Sequence, residues 1–97
     1  MDTAAGSDRA LAQQLTIVNR KGLHARASAR FVRTAECFDA EIKVVRDGQA
    51  VSGSSIMGLM MLGAAMGDTI TISASGAEAE QAVLNLVTLV EDRFGED

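Results

Sequence analysis

From Leu15 to Val18 the chain alternates around β-branched residues, a two-residue period that predicts a first strand, and Asn19-Arg20-Lys21-Gly22 follows as a loop. The period then lengthens to that of a helix. Ala27, Phe31 and Ala35 share one face of a helix from Ala25 to about Cys37, while Arg26, Arg30 and Arg33 share another. One face packs and the other is basic. Ile42 and Val44 alternate with Glu41 and Lys43 in a second strand, and Asp47-Gly48 is a strong two-residue hairpin turn into a third strand over about Gln49 to Ser52.

Ser54 or Ser55 can cap a brief apolar helix from Ile56 to Leu62, with Gly63 at its end. After the Gly67-Asp68 turn, Thr69 to Ala74 alternates as a fourth strand. Ser75 and Glu78 stand three apart as in a capping box, and Val83, Leu86, Val87, Val90 and Phe94 give the last helix its apolar stripe. The order is β-α-β-β-α-β-α. Such an order predicts an α+β fold, a four-stranded antiparallel sheet covered on one face by three helices. Residues 1–13 carry little apolar pattern and are expected to be a flexible tail, with the folded domain spanning 14–97.

Size and composition narrow the function. A chain of 97 residues with 47% hydrophobic content supports one compact core and no second domain. Cys37 is the only cysteine and His24 the only histidine, so an internal disulfide and a zinc site of three or four ligands are both excluded. No apolar run reaches the length of a membrane span, and the first dozen residues lack a secretory core. A soluble, cytoplasmic protein is expected.

The net charge of −4 is unevenly spread. No acid occurs between Asp8 and Glu36, where Arg9, Arg20, Lys21, Arg26, Arg30 and Arg33 fall, whereas from Asp68 onward Arg93 is the sole base. A basic segment around the only histidine suits a phosphate or an acidic protein surface. Nucleic acid is not expected, because Phe31, Phe38 and Phe94 all fall in helical or helix-terminal segments and leave no aromatic platform on a strand.

Within Gly22-Leu23-His24-Ala25-Arg26, the imidazole stands where the loop turns into the helix. An exposed imidazole is a good nucleophile near neutral pH, and phosphoryl transfer through it needs a free ring nitrogen, donors for the phosphoryl oxygens and nearby positive charge. The helix start at Ala25 to Ala27 supplies N–H groups, Gly22 permits an unusual backbone angle, and Arg26 supplies a guanidinium. Ser28, one helical turn beyond, either reaches the ring or fills the edge of the core. In Ile56-Met57-Gly58-Leu59-Met60-Met61-Leu62, Leu59 and Leu62 are expected in the core; a two-turn helix apolar on every side must leave other residues exposed.

These two segments, the second running from Ser54 to Gly63, resemble the HPr phosphocarrier family of the bacterial phosphotransferase system over roughly residues 14 to 94. The resemblance implies the open-faced β-sandwich fold, no cofactor and no metal. It also implies a cytoplasmic monomer that takes phosphate from enzyme I and passes it to enzyme IIA domains, in sugar uptake or a nitrogen-type regulatory relay. By that likeness His24 carries the phosphate on Nδ1, Arg26 assists, and Ile56, Met57 and Met60 form a docking face. Ser55 matches a serine that a dedicated kinase phosphorylates in some members. Ala27 departs from the proline that many members have there; alanine keeps helix formation easy and retains one N–H.

Two other readings compete. An enzyme pairing His24 with a serine nucleophile lacks an orienting acid at a recognisable position and any nucleophile motif. A non-catalytic docking module of the same fold would have little use for His24 and Arg26 together.

Overall fold

The computed structural model describes residues 11–96. Strand β1 (Leu11–Thr16) leads to helix α1 (Ala25–Ala35), then to β2 (Glu41–Arg46) and β3 (Gln49–Ser52). Helix α2 (Ile56–Met61), strand β4 (Thr69–Ser75), helix α3 (Ala79–Glu91) and a 3-10 turn at Arg93–Gly95 follow among the described residues. The four strands form one sheet in the order β1-β4-β2-β3, with every neighbouring pair antiparallel. The α+β architecture is therefore as expected.

Alternation along the strands decides which side the helices cover. Leu15, Ile42, Val44, Ile70, Ile72 and Ala74 turn inward to meet Ala27, Phe31 and Ala35 of α1, Leu59 of α2, and Val83, Leu86 and Val90 of α3. Glu41 and Lys43 lie exposed on the other face. Burying a large apolar side chain contributes about 1.5–3 kcal/mol, so this single layer of contacts is the main source of stability. At the β2–β3 turn, Asp47 and Gly48 both have positive φ, 50° and 80°, as a type I′ hairpin requires.

Several boundaries differ from expectation, among them the end of the last helix, which stops at Glu91 and leaves Phe94 in the following left-handed turn. Strand β1 starts at Leu11 and stops at Thr16, although the alternation points to Leu15 through Val18. Leu11 to Gln14 are exposed and held by main-chain pairing with β4, so their side chains carry no inward–outward pattern. Leu11, Ala12 and Gln13 thus belong to the sheet and not to a tail, and the rest of the expected tail, residues 1–10, lies outside the described residues. The Ser75–Glu78 capping box does not form, since Ser75 ends β4 and Glu78 caps α3 without a side-chain bond. Glu78 Oε1 instead accepts the Asp39 N–H at 2.7 Å, which ties the start of α3 to the α1–β2 loop. Helix α1 ends at Ala35, two residues before Cys37.

Candidate functional site

The backbone just before α1 is held in an unusual shape by its neighbours. Gly22 has φ +65°, and a Cβ there would stand 2.3 Å from the Ala64 carbonyl oxygen, so only glycine fits. Leu23 donates its N–H to that same carbonyl at 3.0 Å, and Asn19 Nδ2 donates to the Gly22 carbonyl at 2.9 Å. The loop is thereby fixed against the segment that follows α2. His24 emerges from it as the N-cap of α1, in extended conformation.

His24 makes no side-chain cap bond, so its imidazole does not occupy the first-turn N–H groups of α1. The first intrahelical bond runs from Ser28 N to His24 O at 2.8 Å, leaving the amides of Ala25, Arg26 and Ala27 at the end of the helix where an anion is favoured. Arg26 is exposed on the first turn. Together with Arg20, Lys21 and Glu96 it lines a depression of about 240 Å³. A larger depression, about 770 Å³, is lined by residues such as Glu36, Phe38, Asp39 and Ser75 and contains none of the residues of this site.

Sequence reading missed two members of the site, Asn19 and Glu96. Glu96 Oε2 lies 2.7 Å from His24 Nε2, while Glu96 Oε1 accepts from Asn19 Nδ2 at 3.1 Å. Asn19 is fully buried, and its Oδ1 has no partner, a local cost carried at the site. Burial alone would raise the Glu96 pKa. Hydrogen bonds from Asn19 and His24, with the charges of His24 and Arg26, outweigh burial and hold the carboxyl below its usual range. An ionised carboxylate only accepts, so His24 donates through Nε2; whenever the ring is neutral its one proton is on that nitrogen and the Nδ1 lone pair is free.

The chain reaches this position by a sharp hook. Arg93, Phe94 and Gly95 have φ of 58°, 55° and 77°, three consecutive left-handed residues. Such conformations cost on the order of 1 kcal/mol or more for each non-glycine residue. Complete burial of Phe94 offsets that by about 2–3 kcal/mol. Arg30 Nη1 donates to the Phe94 carbonyl at 2.9 Å and clamps the hook to α1. A large apolar residue followed by glycine and two acids was the available signal, but nothing local connects residue 96 with residue 24.

The remaining candidates separate cleanly. Ser28 is fully buried, and its hydroxyl donates to the Leu23 carbonyl at 3.2 Å, so it supports the loop and does not reach the ring. Ser55 caps α2, its Oγ accepting the Gly58 N–H at 2.9 Å. Leu59 and Leu62 are buried as expected, whereas Ile56, Met57 and Met60 are exposed, Met57 to 69%. Met61 and Met66 extend the same kind of surface and were not singled out from the sequence. Arg46 joins these parts, donating to the Leu62 carbonyl at 2.9 Å and pairing with Asp68 at 3.0 Å.

No described helix is long and apolar enough to cross a membrane. A family model described as the PTS HPr component phosphorylation site matches residues 11–92. The chain is 43% identical over 86 residues to the phosphocarrier protein HPr of Cupriavidus necator, covering 89% of this chain and 97% of the relative. It is 45% identical, over the same length and with the same coverage, to the phosphocarrier protein HPr of Neisseria meningitidis serogroup A. Among solved structures it superimposes on HPr-C-His from Thermoanaerobacter tengcongensis with a TM-score of 0.86 and 42% identity, over 90% of this chain and 98% of that one. Fold, matched segment and relatives agree that the chain belongs to the HPr phosphocarrier family of the phosphotransferase system, whose members carry phosphate between proteins and turn over no small substrate of their own.

Proposed function

We propose that His24 is the phosphate-bearing residue of this carrier, accepting the phosphoryl group on Nδ1 from phosphorylated enzyme I and handing it to an enzyme IIA domain. The observation that carries this reading is the imidazole at the amino end of α1 with Nε2 engaged by Glu96 at 2.7 Å. That contact favours Nδ1 as the attacking atom. The unpaired amides of the first turn then suit the phosphoryl oxygens, and Arg26, Arg20 and Lys21 offset their charge. Ala27 adds a possible donor at the third helical position.

Docking is assigned to the exposed surface of α2, with Ile56, Met57 and Met60 at its centre. Flexible thioether side chains adapt to more than one partner, which suits a carrier that meets a donor and an acceptor in turn. Ser55, at the start of the same helix, is the proposed target of a serine kinase and its phosphorylase. Whether the relay serves sugar uptake or nitrogen-type regulation is set by the acceptor domain, since the transfer chemistry is the same. Incubation with phosphoenolpyruvate and enzyme I, followed by intact mass measurement, tests the reading: one added phosphate supports it, and an unchanged mass contradicts it.

A further inference from the structure

We propose that Glu96 is a positioning residue for phosphoryl transfer, holding the Nε2 proton of His24 and balancing the charge that the ring gains when Nδ1 attacks. The inference rests on the assignment of His24 as the phosphate carrier. Its physical basis is separate: a terminal hook outside the stretch matched by the family model delivers a carboxylate to the imidazole nitrogen opposite the attacking one.

The electron count defines what the carboxylate does. The Nδ1 lone pair forms the new N–P bond while the bond from phosphorus to the donor's leaving atom breaks, its electron pair departing with the donor. No proton changes atom. The ring, neutral before attack, becomes a cation with its proton still on Nε2, and Glu96 Oε2 is already 2.7 Å from that nitrogen. A charge-assisted hydrogen bond is stronger to the cation than to the neutral ring, so this contact favours the transition state over the resting state. On onward transfer the N–P bond breaks with its electron pair returning to Nδ1, and the ring leaves as neutral imidazole with the same proton in place. The general relation is that of an acid orienting a catalytic histidine.

The geometry around Glu96 shows a held group and not a loose terminus. Asn19 fixes Oε1 at 3.1 Å, leaving Oε2 to the ring. Phe94 anchors the hook in the core, and Arg30 clamps its carbonyl. The backbone bonds Gly95 N to Asp92 O at 3.0 Å and Glu96 N to Arg93 O at 2.9 Å close the turn. Both partners of the short contact remain partly accessible, His24 to 24% and Glu96 to 17%, so water substitutes in part when the carboxylate is lost. The expected effect is therefore about tenfold in rate, below the range for a fully enclosed catalytic pair.

Single-turnover transfer from phosphorylated enzyme I to the full chain tests this, with Glu96→Gln as the main variant and Glu80→Gln, an exposed acid on α3, as control. Glu96→Gln should slow transfer about tenfold at saturating protein. Its half-saturation concentration should stay at the wild-type value, and its melting temperature should fall only slightly. A carboxylate-bound Nε2–H should give a resolved imidazole nitrogen–proton correlation in the wild type that is lost in Glu96→Gln and retained in Glu96→Asp. Transfer by Glu96→Gln within twofold of wild type, with phosphate mapped to His24, would overturn the inference and leave the carrier assignment standing. A change confined to half-saturation would overturn it too, by making Glu96 a docking residue. Phosphate mapped to another residue in the wild type would remove the assignment on which it rests.

Discussion

Leu23 and Ala64 share a backbone hydrogen bond of 3.0 Å that ties the loop presenting His24 to the segment following the methionine-rich helix. Gly22 makes the approach possible, since no Cβ fits against the Ala64 carbonyl. Arg46 and Asp68 hold the other side of that segment: Asp68 Oδ2 accepts the Ala65 N–H at 2.8 Å as well as pairing with Arg46. The loop bearing His24 and the segment following α2 are thus tied together, and on the proposed roles a partner seated on α2 would meet His24 at a fixed offset.

Met57→Glu should weaken recognition of enzyme I and of the IIA domain by about tenfold or more, because a charge placed in an apolar contact must be desolvated in either complex. At 69% exposure the side chain carries little of the fold, so the melting temperature should hardly move. Titration calorimetry with each partner, beside a thermal melt, checks both halves. Unchanged affinities would remove Met57 from the interface.

Arg26→Ala should slow transfer while leaving stability within about 0.5 kcal/mol, since the guanidinium is exposed and its proposed role is to offset the phosphoryl charge. Forward and reverse rates measured by rapid quench would show it. Equal rates in both directions would reduce Arg26 to a surface charge.

Phosphorylation of Ser55 should act on docking and spare the fold. The hydroxyl already accepts from Gly58 N, so a phosphate there meets the favourable end of the α2 dipole, worth about 0.3–1 kcal/mol at an exposed site. The same charge borders Ile56 and Met57, where burying it against a partner is unfavourable. Kinase-modified protein should melt at or slightly above the unmodified temperature and accept phosphate more slowly. A phosphosite mapped to Ser52 or Ser54 would contradict the assignment.

The depressed pKa of Glu96 gives stability a definite pH dependence. With the folded value below the ordinary carboxyl value of 4.5, its contribution is present above that pH and is lost as pH falls through the folded value. The melting-temperature difference between wild type and Glu96→Gln should therefore be largest near neutral pH and shrink on acidification below about 4.5. A difference independent of pH would mean that folding does not shift the Glu96 carboxyl, and one that grows on acidification would mean that the fold raises its pKa.

Legibility in the sequence follows the range of each interaction. The helix face of Ala27, Phe31 and Ala35, the Asp47-Gly48 hairpin and the Ser55 cap all express local geometry, and each appears in the structure. Leu11 to Gln14 did not read as a strand because main-chain pairing alone holds them at the sheet edge. The loop-to-helix junction that carries His24 and Arg26 is equally local and appears in the structure, whatever role the two side chains have. Glu96 was not legible, since a hook of left-handed residues, anchored by Phe94, brings it across 72 positions to the ring. Ser75 and Glu78 misled for the converse reason: a valid local motif lost to a tertiary donor, the Asp39 amide.

The most direct test compares wild type with His24→Ala after incubation with phosphoenolpyruvate and enzyme I, reading intact mass and the stability of the adduct in acid and alkali. The account predicts one phosphate on the wild type, labile in acid, stable in alkali and mapped to Nδ1 of His24, with none on a folded His24→Ala protein. A folded His24→Ala protein that still gains an acid-labile, alkali-stable phosphate would contradict it.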